Sequence, residues 1–147
     1  MTPKTKAHEI ELERTLHAPA GKVWDALTKR SELSRWYAPT DDFRTEVLEW
    51  DLRVGGTFRI AMHAPDGKTH TCFGVFREIT PGRRLSYTWS WEGQDPMDSI
   101  VAFDLSEKGG QTILRLTHTG LPSEEARAHH ERGWVGIAGR LEALWAA

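Results

Sequence analysis

The chain of 147 residues has the length of one domain, enough to bury a core without staples, and its single cysteine, Cys72, excludes an internal disulfide and a multi-cysteine metal site. With 19 Lys and Arg against 21 Asp and Glu the formal charge is −2, and the signs alternate instead of forming blocks, which excludes the footprint of a nucleic-acid partner. No apolar run approaches the roughly 18 residues of a membrane span and no signal peptide is present, so no membrane insertion and a cytoplasmic location are expected.

Residues 1–7 read as a flexible N-terminal tail and residues 8–147 as a single domain. His8 to His17 alternates, with Ile10, Leu12 and Leu16 on one face and Glu9, Glu11 and Glu13 on the other, the pattern of a half-buried strand. Arg14 shares the apolar parity and is expected either to cap the sheet edge or to meet a carboxylate such as Glu78. Ala18-Pro19-Ala20 opens a helix with Val23, Trp24 and Leu27 at helical spacing, and a second short helix follows from Ser31 through Leu33 and Trp36. Strands return from Phe43, with Val47-Leu48 and then Trp50 to Val54, broken at Gly55-Gly56, where a positive φ or a close backbone approach is expected. Asp51 and Arg53 on one face predict an ion pair that fixes this turn.

Thr57 to His63 turns the alternation of Phe58, Ile60 and Met62 inward. Ala64-Pro65-Asp66-Gly67 suits a type I turn followed by a bulge, a register that pairs Met62 with His70, Ile60 with Cys72 and Phe58 with Gly74 and keeps Phe76 on the same face, whereas a two-residue loop would instead put Phe73 and Val75 inside. After Thr80-Pro81-Gly82 comes the clearest strand, with Leu85, Tyr87, Trp89 and Trp91 on one face. Another begins at Ser99 with Val101, Phe103 and Leu105 inward, and Lys108-Gly109-Gly110 turns it into Thr112, Leu114, Leu116 and His118. The last stretch, Ser123 to Ala147, places Trp134, Ile137, Ala138, Leu141, Leu144 and Trp145 on one helical stripe, with Ser123 as N-cap and Glu124 and Glu125 in the first turn. Gly133, Gly136 and Gly139 each weaken that helix by about 0.5–1 kcal/mol, so it must be held by what it packs on. The sum is an α+β domain of about seven antiparallel strands, two short helices after the first strand, and one long C-terminal helix that covers the sheet.

Several segments, in this order and spacing, carry a resemblance: Trp36-Tyr37-Ala38-Pro39, Asp51-Leu52-Arg53-Val54-Gly55-Gly56 leading to Phe58-Arg59, Pro65-Asp66-Gly67, Gly74 through Glu78-Ile79, Arg84-Leu85-Ser86-Tyr87-Thr88-Trp89, Leu116-Thr117-His118 and Gly133-Trp134. From about Ile10 to Leu144 the chain resembles the family named for the C-terminal domain of the activator of the heat-shock-protein-ninety ATPase, in the START-like (SRPBCC) superfamily. The resemblance implies a helix-grip fold, a curved sheet around the C-terminal helix with a cavity between them. It implies a bound small hydrophobic molecule, as in START-like lipid-binding proteins, or acid–base catalysis of the polyketide-cyclase kind. A third implication is a co-chaperone module of stress response, although the members that act on a chaperone carry a separate N-terminal domain for which 147 residues leave no room.

The inward set Phe58, Ile60, Met62, Cys72, Phe76, Tyr87, Trp89, Trp91, Val101, Phe103 and Leu116 faces Trp134, Ile137 and Leu141 of the helix. For most of these the plain reading is a filled core, while those toward the N-terminal half of the helix are expected to line a ligand pocket with His70 and His118. No catalytic residue is assigned. An imidazole beside a phenol can serve as acid and base, which makes His70, Tyr87 and His118 the candidates for chemistry; the plain reading is that each is a satisfied structural group. His129 and His130 are adjacent and point about 100° apart on a helix, no His-x-x-x-His pair occurs, and neither metal nor cofactor is expected. Any tryptophan left exposed among the seven would mark a homodimer surface.

Overall fold

The computed structural model describes residues 8–146, so the tail expected over residues 1–7 lies outside the described residues. In chain order the elements are β1 (Ile10–Leu16), α1 (Ala20–Thr28), α2 (Arg30–Leu33), β2 (Arg44–Trp50), β3 (Thr57–His63), β4 (Thr69–Thr80), β5 (Arg84–Trp91), β6 (Ser99–Lys108), β7 (Gln111–Thr119) and α3 (Glu124–Ala143). The strands make one antiparallel sheet in the order β1-β7-β6-β5-β4-β3-β2. β1 therefore pairs with the last strand, and the α1–α2 excursion carries the chain to the opposite edge, where β2 starts a run of hairpins. This is the α+β helix-grip architecture, a curved sheet with α3 across one face. Among the described residues no helix is long and apolar enough to cross a membrane.

Alternation sets the faces. In β5, Leu85, Tyr87 and Trp89 are buried and Trp91 half-buried; in β7, Thr112, Leu114, Leu116 and His118 are all buried. The β3–β4 hairpin has the predicted register, with Met62 opposite His70, Ile60 opposite Cys72 and Phe58 opposite Gly74. Its turn closes through Gly67 N–H to the Ala64 carbonyl at 3.0 Å, with Gly67 at φ +89° as the bulge requires.

The expected strand over Trp50 to Val54 is absent. β2 ends at Trp50, and the next residues form a compact loop in which Arg53 Nε meets Asp51 Oδ2 at 2.9 Å, the predicted ion pair. Both uses foreseen for the glycine pair occur there. Gly55 has φ +88°, and a Cβ on Gly56 would lie 2.0 Å from the Asp51 carbonyl oxygen. Arg14 does meet a carboxylate, Glu142 of α3 at 4.0 Å, and not Glu78, which lies on β4 with three strands between it and β1 and pairs with Arg84 at 2.8 Å.

The short helices are tied down by long-range polar contacts. Pro19 precedes α1 and offers no capping side chain, so the Ala20 N–H donates instead to Glu107 Oε1 of β6 at 2.7 Å. The second helix is α2 over Arg30–Leu33, followed by a turn in which Tyr37 N–H reaches the Leu33 carbonyl at 2.9 Å; Trp36 thus sits on the turn, beyond the helix in which it was expected. Its indole N–H donates to the Ala26 carbonyl, and that of Trp50 to the Thr28 carbonyl.

α3 starts as predicted, with Ser123 Oγ accepting the Ala126 N–H at 3.1 Å and Glu124 and Glu125 in the first turn, and its regular part stops at Ala143, ahead of Ala147. Its buried stripe is His130, Trp134, Ile137, Ala138 and Leu141. Toward its C-terminal end Arg140 clamps it to the loop after α2, through Asp41 at 3.0 Å and the Arg35 carbonyl at 3.2 Å.

Candidate functional site

Rings on β3, β4, β5 and β6 fill the space under the middle of the sheet. Phe58 and Tyr87 lie 4.6 Å apart by ring centroid, Phe58 and Phe76 5.6 Å, and Tyr87 and Phe103 6.0 Å, in the tilted and edge-on arrangements that aromatic pairs prefer. These side chains, with Ile60, Cys72, Val101 and Leu141, are essentially sealed from solvent. Toward the N-terminal half of α3 the packing opens into a cleft of about 790 Å³. Its walls are Met62, Trp89 and Trp91 from the sheet and Trp134, Ile137 and Gly133 from α3; Pro39 and Phe43 also line it, and His70, Glu92, His129 and Arg132 stand among the polar groups around it.

The residues expected to line a pocket thus divide by place. Met62, His70, Trp89, Trp91, Trp134 and Ile137 border the cleft; Phe58, Ile60, Cys72, Phe76, Tyr87, Val101, Phe103, His118 and Leu141 lie in the core beyond it. The stripe that predicted Trp134 and Ile137 would have found Ala126, His130 and Gly133 had it been continued toward the start of the helix. Pro39 and Phe43 had no such signal, since they belong to a loop whose position is set by α2 and β2.

Two histidines organise the wall. The Trp134 indole N–H donates to His118 Nδ1 at 2.9 Å, which leaves Nε2 to carry the proton and donate to Ser99 Oγ at 3.0 Å; Ser99 in turn donates to the Trp89 carbonyl at 2.6 Å. The Trp91 indole N–H donates to His130 Nε2 at 2.8 Å, and His130 Nδ1–H donates to the Ala126 carbonyl at 2.7 Å. Both rings are therefore neutral and of opposite tautomer. Burial, with the neighbouring His130, pushes His118 down to about 3, and burial also lowers His130.

The three candidates for chemistry do not converge. Tyr87 Oη pairs with Tyr37 Oη at 2.9 Å inside the core, and burial raises both phenols well above their ordinary range. His118 has both nitrogens engaged as described. His70 stands exposed beside Phe43 and Trp91. Burial likewise raises the Cys72 thiol, which holds it protonated as a small apolar side chain.

Solved structures share the architecture along nearly the whole chain. A Chromobacterium violaceum protein is 30% identical with a TM-score of 0.86, over 94% of this chain and 96% of its own. An AHSA1-like protein from Aeromonas hydrophila is 26% identical with a TM-score of 0.79, over 92% and 90%. A Mesorhizobium loti protein is 28% identical with a TM-score of 0.73, over 92% and 95%. No curated protein matches the chain. The sequence pattern described as "Activator of Hsp90 ATPase homolog 1-like protein" matches residues 17–146, and on that extent the chain belongs to this family.

Proposed function

We propose that the protein binds a small apolar or aromatic molecule in the cleft between β3, β4, β5 and the N-terminal half of α3. The observation that carries this reading is an opening of about 790 Å³ walled by indole rings and Met62, within the range of small-molecule sites and bordered by a few polar groups. The reading contains no chemical step. In its support, the polar atoms of Tyr87 and His118 are occupied by neighbours in the core.

Gly133 gives the sharpest test. It borders the cleft, and a Cβ placed on it meets nothing within 4 Å, so a larger side chain there projects into the binding space while leaving the packing intact. In a calorimetric titration the wild type is expected to take up 2-propylnaphthalene at one site. Gly133→Leu should bind it at least about tenfold more weakly, yet unfold no more easily, since leucine favours a helix over glycine by roughly 0.5–1 kcal/mol. Equal affinity in the two proteins would place the guest elsewhere and overturn the proposal.

A further inference from the structure

Three tryptophans are fully buried, Trp36, Trp89 and Trp134; the indole N–H of Trp36 donates to the Ala26 carbonyl and that of Trp134 to His118, and the half-buried Trp50 and Trp91 donate to the Thr28 carbonyl and to His130. Trp89 is the exception. It is only 2% exposed, its ring borders the cleft, and among the described residues its Nε1–H has no acceptor. A buried donor left unmade is unfavourable enough to be rare in folded proteins.

The rings packed around Trp89 offer it no free nitrogen or oxygen acceptor, only π faces, which accept far more weakly. Tyr37, with centroid 6.5 Å away, has its hydroxyl engaged with Tyr87. His118 at 5.7 Å has Nδ1 taken by Trp134 and Nε2 by Ser99. Trp134 at 5.2 Å and Trp91 at 5.3 Å bring only N–H donors, both already used. Trp89 also lines the cleft, so a molecule seated there lies against this ring and can bring the missing acceptor.

The geometry points to a guest that is apolar or aromatic in its body and carries a carbonyl-type acceptor oxygen, without a donor, at its inserted end, where Trp89 Nε1–H donates to it. This rests on the proposed function and narrows it to a class, aryl or alkyl carbonyl compounds in place of plain hydrocarbons. The neighbouring rings cover the N–H, and side-chain shifts of the size common on binding uncover it.

A matched pair of probes separates the two readings: 1-(naphthalen-2-yl)propan-1-one and 2-propylnaphthalene share a skeleton and differ by the carbonyl oxygen. With the wild-type protein the ketone is expected to bind about tenfold more tightly, the difference one well-placed hydrogen bond makes to an otherwise unmatched donor. The Trp89 indole N–H resonance of ¹⁵N-labelled protein should move downfield with the ketone and not with the hydrocarbon. In Trp89→Phe the ratio of the two affinities should fall to within about twofold of unity. If that variant does not fold, the wild-type resonance decides alone. Equal affinities in the wild type, a Trp89 N–H that does not move downfield with the ketone, or a preference that survives Trp89→Phe, overturns the inference and leaves apolar binding in place. If neither probe binds, the cleft reading fails first and takes this one with it.

Discussion

His118 and His130 each hold an indole N–H on a bare ring nitrogen, so protonating either one removes an acceptor and turns two donors toward each other. For His118 the folded protein takes up its proton only near pH 3, whereas the unfolded chain does so near pH 6.5. The stability tied to this ring is therefore complete above about pH 6.5 and is lost as the pH falls toward 3, by up to about 1.4 kcal/mol per pH unit. Burial lowers His130 as well, which adds loss of the same sign. Urea midpoints measured from about pH 8, where this contribution is complete, down to about pH 4 should stay level at first and fall below about pH 6.5 in the wild type. They should fall less in His118→Gln, whose amide can still accept from Trp134 and donate to Ser99 but does not titrate; that variant is expected to be about 1–2 kcal/mol less stable at neutral pH. Parallel midpoint curves for the two proteins would remove His118 as the source. Alternation along β7 made the burial of His118 legible, but its partners Ser99 and Trp134 come from another strand and from α3, and only the assembled sheet brings them within reach.

The three glycines of α3 look alike in the sequence and differ once the helix is docked. A Cβ on Gly136 would sit 2.2 Å from the Pro39 carbonyl oxygen, so this glycine lets the helix lie directly on the loop that follows α2. A Cβ on Gly139 meets nothing within 4 Å. Gly136→Ala should therefore cost about 1–3 kcal/mol by pushing helix and loop apart, while Gly139→Ala should gain roughly 0.5–1 kcal/mol from helix propensity alone. Thermal unfolding of the two single variants checks both signs, and destabilisation by both would refute the distinction. The strands were the legible elements, because a face that repeats every second residue is written locally, as in Leu85-Tyr87-Trp89-Trp91. The stretch 50–54 misled because Trp50, Leu52 and Val54 also alternate, yet Gly56 folds back onto Asp51 and takes the chain out of the sheet.

For the molecule as a whole, the sequence distinguished inside from outside but not core from cleft. Phe58 and Trp91 share the inward face of the sheet, and nothing local tells that one meets Phe76 and Tyr87 while the other meets an opening. That division depends also on residues outside the sheet and α3, Pro39 and Phe43 among them, that line the cleft and carry no periodic signal. The candidate site was accordingly readable to the level of a wall of aromatic side chains and no further. The two halves of α3 are also fastened differently: Arg140 ties one to Asp41 and Arg35, and indole-to-imidazole contacts hold the other.

Because Trp89, Trp91 and Trp134 are themselves the walls, occupancy should be visible in the protein's own luminescence. A guest whose absorption overlaps indole emission will drain excitation most efficiently from these residues, because they border the space it fills. Dimming of the native signal on titration, absent in Gly133→Leu, would supply a label-free count of filled sites. An unchanged spectrum at saturation would mean that the aromatic wall and the guest never meet.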